Sequence, residues 1–330
     1  MKNHRKIVLA GILTLGLLGA KPYAGTRLLA IMPNAEPFHQ ALEGLQSDLG
    51  NNYEVRWFNA DLPKASDSLQ RVISNFQPQG LVLMDTKAIG LAKEAQKESV
   101  QYQLLPKFVL MTLRAEDAIR DLKNSAGIKF EVPAYTIFTN LHIISKRDFH
   151  RVGVFYRESF TGFFQESKKF LAKEKIDLVG ECLNCGLNEK AAPVAVYEGL
   201  RAGMVKMASQ KVDVIWMLAD NALVNDGTLK GFWLAQFKSY GVPLVVPLPN
   251  LASLDLNLGM FGVWPDYRQL GMQAAQQVIQ VFESGEAAGS LGLETLVGVQ
   301  MVLNLEMAKR AKWDINGEKL NRMSIILKRN

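Results

Sequence analysis

The stretch Arg151-Val-Gly-Val-Phe-Tyr156, with the segment Thr161 to Lys173 behind it, decides the fold. The first piece is a short apolar run and reads as a buried strand. The second carries Phe163, Phe164, Phe170 and Leu171 among polar residues and predicts an amphipathic helix. The alternation continues downstream. Ile176 to Gly180 reads as a strand, Ala191 to Ser209 as a helix, Val212 to Leu218 as a strand, Asp226 to Tyr240 as a helix and Val242 to Val246 as a strand. Upstream the same pattern has already run once. Arg27 to Met32, Tyr53 to Phe58, Gly80 to Met84 and Lys107 to Met111 are strands, and the segments Glu36 to Leu49, Ser66 to Phe76 and Lys87 to Glu98 are helices. In the first helix Phe38, Leu42, Leu45 and Leu49 follow spacings of 4, 3 and 4. The pattern breaks near residues 124–148 and restarts at Arg151. Two such runs predict an α/β protein with two doubly wound parallel-sheet lobes.

The remaining chain adds a strand at Gly259 to Trp264, a helix at Tyr267 to Glu283 stopped by Ser284-Gly285, a strand at Thr295 to Leu303 and a short helix at Leu305 to Ala311. A polar tail with one apolar run, Ile325 to Leu327, ends it.

Composition is that of an ordinary globular chain: 330 residues, 48% hydrophobic and 21% charged. The formal charge of +6 would suggest an acidic partner. Its source lies at the N-terminus. Lys2, Arg5 and Lys6 precede an uncharged apolar run from Ile7 to Ala20, with Lys21 and Pro22 after it, so residues 1–24 read as a secretory signal peptide. Without them 34 basic residues face 32 acidic ones, and the case for a nucleic-acid partner disappears. In an exported protein Cys182 and Cys185 are disulfide candidates. Neither has further His or Cys nearby to build a metal site. No G-x-x-x-x-G-K-[ST], G-x-S-x-G or H-E-x-x-H motif occurs, so no enzyme is predicted and no cofactor is expected.

The order of several segments resembles the ABC-transporter substrate-binding proteins of periplasmic-binding-protein type I, in the branch with tryptophan- and tyrosine-binding members. These are Pro33 to Leu45, Arg151 to Tyr156, Val212 to Asn221, Asp266 to Ala275 and Asn304 to Ala308, and the resemblance spans residues 26 to 316. It implies two lobes joined by a three-strand hinge, with crossovers near 143–150, 253–260 and 288–296. The N-terminal lobe would hold 25–145 plus 258–290, and the C-terminal lobe 146–257 plus 291–330. A ligand would sit between them, outside the carboxyl ends of the strands, where helix N-termini present free N–H groups.

Candidate contacts lie on the loops after the strands. They are Asn34, Glu36 and Phe38, the last also spaced as a core residue, then Asp85 and Thr86, then Thr112 and Arg114. In the family the second of these loops holds a ligand carboxylate. Thr86 fits that role, while Asp85 departs from the pattern and repels an anion, or simply caps the next helix. Arg114 is placed to pair with a carboxylate or with Glu116 and Asp117. In the second lobe Ser159, Phe160, Asp220, Asn221, Asn250 and Trp264 occupy equivalent positions, with Asp220 suited either to a ligand amine or to a helix cap. The expected function is that of a periplasmic protein that captures a small ligand, with an amino acid as the candidate, and delivers it to an ABC permease. The alternative is a periplasmic sensor that signals through a membrane receptor or histidine kinase.

Overall fold

Apolar runs without in–out alternation become inner strands, because helices cover both faces of them. The computed structural model describes residues 25–183, 185 and 193–329, so the stretch 1–24 read as a signal peptide lies outside the described residues. The strands are β1 (Thr26–Met32), β2 (Tyr53–Asn59), β3 (Gly80–Met84), β4 (Lys107–Leu110), β5 (Ser125–Lys129), β6 (Arg151–Tyr156), β7 (Asp177–Cys182), β8 (Val214–Trp216), β9 (Leu244–Val246), β10 (Phe261–Pro265), β11 (Leu293–Thr295), β12 (Val299–Asn304) and β13 (Ile325–Leu327). One sheet has the order β2-β1-β3-β4-β5-β11 and is wholly parallel; the other has the order β7-β6-β8-β9-β10-β12-β13, with only β10 and β12 antiparallel. In both, the first strand of the lobe sits inside and the chain winds outward on either side, so each lobe is doubly wound. β3 and β4 are buried along their whole length, while β2, at an edge, exposes Arg56 and Trp57.

Two of the three crossovers fall elsewhere than the sequence suggested, and the third lies at the end of its expected range. The helix Ala134–Ile144 belongs to the second lobe: Phe138 meets Trp216 edge-on with ring centroids 5.7 Å apart, and the Ile144 carbonyl accepts a 2.8 Å bond from the Asn316 N–H. The first crossing is therefore at 130–133, not 143–150. The second follows β10, which pairs with β9 and β12, so it lies at Asp266 and not at 253–260. The helix Tyr267–Ser284 then packs on Glu36–Leu49 in the first lobe. The third runs from β11 in the first sheet to β12 in the second, through 296–298. The lobes are thus 25–129 plus 267–295 and 134–265 plus 299–329. The reason is β5, whose sequence Ser-Ala-Gly-Ile-Lys carries too few apolar side chains to show as a strand.

Asp266 ties two crossovers together. Its carboxylate caps the helix Tyr267–Ser284 at Gln269 N–H (3.0 Å), it accepts from Gln300 Nε2, and its own N–H donates to the Gly298 carbonyl (3.0 Å). Phe130 on the first crossover stacks with Tyr267 at 6.3 Å. The predicted helix 226–240 is absent as such. A single turn, Asp226–Thr228, gives way to a wide π turn, Leu229–Trp233, and a 3-10 turn, Phe237–Tyr240. That path buries Trp233 completely, with its indole N–H donating to the Leu223 carbonyl at 2.9 Å. At the end of β7, Cys182 and Cys185 form a disulfide. No helix of the described residues is long and apolar enough to cross a membrane.

Lys107 is buried in β4, and its ammonium donates to the carbonyls of Leu105 (2.8 Å), Lys123 (3.0 Å) and Gln103 (3.3 Å). Burial lowers its pKa from 10.5 to about 8. The unfolded chain therefore binds more protons than the native one above about pH 8, and stability rises with pH through that window. Unfolding midpoints measured from pH 7.5 to 10 are expected to climb for the wild type relative to Lys107→Met; parallel curves would contradict the assignment.

Candidate functional site

Two adjoining cavities lie where the lobes meet. The inner one, about 70 Å³, is apolar. Its floor is Trp216, Leu218 and Ala219 after β8, Pro247 and Leu248 after β9, and Val263 and Pro265 on β10; Phe130, Val132, Phe160, Phe163 and Tyr267 wall it. These are the carboxyl ends of second-lobe strands, the place an open parallel sheet offers a ligand. The outer cavity is about 670 Å³. From the first lobe it takes Arg114 to Asp117 and Lys129; from the second, Ala134 and Tyr135 and one face of the helix Thr161–Lys173, namely Gly162, Phe163, Glu166, Ser167 and Phe170; Ser159 and Thr295 complete it. The helical spacing of 163, 166, 167 and 170 puts those side chains on one stripe. Glu131 and Phe163 line both cavities.

Glu131 sits on the first crossover. Its Oε1 accepts the Arg114 N–H at 2.5 Å, and burial pushes its carboxyl above the ordinary range against the lowering effect of that bond. Arg114 holds a left-handed backbone (φ 52°), which turns its side chain toward the opposite lobe: the guanidinium carbon lies 5.8 Å from the Phe160 ring centroid. Lys129 pairs with Glu116 at 2.5 Å, a hydrogen bond that raises its pKa. Tyr135 and Phe170 stand 5.9 Å apart, ring to ring, and remain 44% and 37% exposed at the cavity they line, with the Lys173 ammonium 5.0 Å from the Phe170 ring centroid. The Oγ of Ser159 is buried without a hydrogen-bond partner among the described residues.

Of the residues the sequence singled out, Arg114 and Ser159 line the outer cavity and Phe160 the inner one. The others take different places. Asp220, expected to face a ligand amine, is 2% exposed and holds Arg157 through two 2.7 Å bonds, so its oxygens are satisfied within the lobe. Asp85 caps the helix Thr86–Glu98: its Oδ1 accepts Lys87 N–H (2.5 Å) and Ala88 N–H (3.1 Å), and burial raises its pKa. Those N–H groups, offered to a ligand carboxylate in the expected scheme, are thereby occupied. Thr86 is exposed beside it, and Thr112 is buried with its hydroxyl donating to the Leu110 carbonyl (3.1 Å). Asn34 bonds His39 (2.8 Å), Glu36 accepts from Gln40 (3.1 Å) and Phe38 packs on the core. Asn221 and Asn250 are exposed and line neither cavity. Trp264 points into the second-lobe core, because strand alternation sends its neighbours Val263 and Pro265 to the cavity side. The same alternation was the available signal for Trp216, and the helical spacing of three and four from Phe163 through Glu166 to Phe170 for the last two. Nothing in the sequence marked Glu131, which lies in the stretch read as a gap.

The fold is that of periplasmic binding protein type I. A conserved domain protein from Vibrio cholerae O1 biovar El Tor superposes with a TM-score of 0.57 at 20% identity, over 92% of this chain and all of the other. A Streptococcus pneumoniae ABC domain in complex with L-Trp gives 0.57 at 14% identity, and a ligand-free, open substrate-binding protein with adhesive properties from Clostridium difficile gives 0.62 at 13%. Each of these two covers 92% of this chain and all of its own. No protein-family model matches the sequence, and no curated protein is significantly similar to it. At these identities the likeness establishes the fold shared with ABC substrate-binding proteins, and nothing finer.

Proposed function

We propose that the chain is an exported solute-binding protein that takes a small ligand between its lobes and presents it to an ABC permease in the inner membrane. The observation that carries this reading is the pair of joined cavities, walled by both lobes and by the crossovers between them. A ligand touching Arg114 and Lys129 on one side and Phe163 and Phe170 on the other stabilises whichever lobe arrangement makes both sets of contacts. Its apolar part fills the inner cavity and its polar part lies in the outer one. Fold relatives that are named as ABC substrate-binding proteins support transport as the purpose. The basic, apolar, small-residue start of the chain supports export to the periplasm.

Gly162 gives a clean test. A Cβ built there meets nothing within 4 Å, and the residue lines the outer cavity. Gly162→Trp is therefore expected to fill the cavity without disturbing the fold. In a thermal-shift screen of amino acids, amines, small carboxylates and sugars, at least one compound should raise the wild-type Tm by several degrees, as ligands that bind only the native state do. That shift should vanish in Gly162→Trp, whose own Tm stays at or above that of the wild type. A screen with no stabilising compound contradicts the proposal.

A further inference from the structure

The charge pattern of the outer cavity selects a ligand class. Its wall carries four carboxylates, Glu116, Asp117, Glu131 and Glu166, against two cations, Arg114 and Lys129. The cations are already engaged on their own side: Lys129 with Glu116 at 2.5 Å, and Arg114 near Asp117 at 3.9 Å and over the Phe160 ring. Glu166 makes no salt bridge within 4.0 Å among the described residues and meets the charge of Lys129 only at longer range, and the hydrogen bonds to Glu131 come from backbone N–H groups, which carry no charge. The wall thus carries two more carboxylates than cations, with Glu131 on the first crossover and Glu166 on the helix Thr161–Lys173. The same wall presents the exposed ring of Tyr135, whose face attracts cations, beside Phe170, whose ring already holds the Lys173 ammonium 5.0 Å from its centroid. The unpartnered Oγ of Ser159 adds an acceptor there. A carboxylate finds the opposite conditions, because the same excess of negative charge repels it.

We infer that the solute is an organic cation: a primary amine on an aromatic or apolar frame, without a carboxylate of its own. The amine lies between Glu131 and Glu166, and the frame reaches past Phe163 into the inner cavity. This rests on the proposal that the cleft is a solute site.

Calorimetric titration of the full chain with four probes of one size separates the possibilities. The probes are phenethylamine, 2-phenylethanol, L-phenylalanine and 3-phenylpropionate. Phenethylamine is expected to bind most tightly, at least about tenfold better than 3-phenylpropionate, the size of effect a charge-assisted hydrogen bond supplies. Glu166→Gln, a change on a solvent-facing side chain that leaves the fold intact, should weaken phenethylamine about tenfold and leave 2-phenylethanol unchanged. Glu131→Gln should act in the same way. Equal or tighter binding of 3-phenylpropionate or L-phenylalanine overturns the inference and leaves the solute-binding proposal standing. So does phenethylamine binding that Glu166→Gln does not alter. Silence from all four probes also overturns it; the broader proposal falls only if the thermal-shift screen is silent as well.

Discussion

Gly271→Ala is expected to destabilise the protein by about 3 kcal/mol or more, a loss at the large end for a single methyl group. Helices Glu36–Leu49 and Tyr267–Ser284 cross at two glycines. A Cβ on Gly271 would stand 1.9 Å from the Ala41 carbonyl oxygen, and one on Gly44 would stand 1.9 Å from that of Arg268. Both obstacles are backbone, so no side chain can swing aside to relieve them. The helices must separate, and their apolar faces, with Leu42, Leu45, Leu270, Ala274 and Val278, lose contact together. Because Tyr267–Ser284 follows the second crossover directly, the loss also loosens the hinge at Asp266. Gly44→Ala should behave alike. Gly162→Ala, with open space at its Cβ, is the control and should be neutral or more stable by up to about 1 kcal/mol, as expected for replacing a helical glycine. Urea unfolding midpoints decide the matter; a Gly271→Ala protein as stable as the wild type would mean the helices are not packed this closely.

The second large effect is electrostatic. Arg157→Met should cost about 3–5 kcal/mol, because it leaves the carboxylate of Asp220 in the protein interior without its counter-charge. Asp220 is 2% exposed and takes both guanidinium bonds at 2.7 Å. It also orders the loop after β8: its carboxylate accepts Ala222 N–H (2.9 Å) and its carbonyl accepts Leu223 and Val224 N–H (each 2.8 Å). The double variant Arg157→Met, Asp220→Asn removes the unpaired charge and should recover at least half of the loss. If Arg157→Met alone unfolds at the wild-type midpoint, the pair contributes nothing and Asp220 is solvated.

Much of the architecture was legible in the sequence because it follows from runs of side chains. The strands Gly80–Met84 and Arg151–Tyr156 declared themselves by their apolar runs, and the helix Tyr267–Ser284 by its period and its terminal Gly285. The crossovers did not, because they depend on which lobe a helix packs against. Ala134–Ile144 is apolar enough to suit either lobe, and tertiary contacts such as Phe138 against Trp216 and the Ile144 carbonyl with the Asn316 N–H assign it to the second. The site was legible to the same extent. Loop position singled out Arg114, Ser159 and Phe160, which line the two cavities. It left Asp220 and Asp85 open between a ligand and a helix cap, because their carboxylates serve as well for an internal partner as for a ligand and sequence cannot say which partner is nearer. It missed Glu131 because the residue has no motif around it; its importance comes from sitting where two cavities meet.

Native mass spectrometry of the protein purified from its own cells, beside Gly162→Trp purified in the same way, tests the central claim most directly. The wild type should carry one small molecule per chain, released on mild activation, and Gly162→Trp should carry none while keeping the same charge-state envelope of a folded protein. A wild type that never carries an adduct, or an adduct retained equally by Gly162→Trp, would contradict a solute site between the lobes.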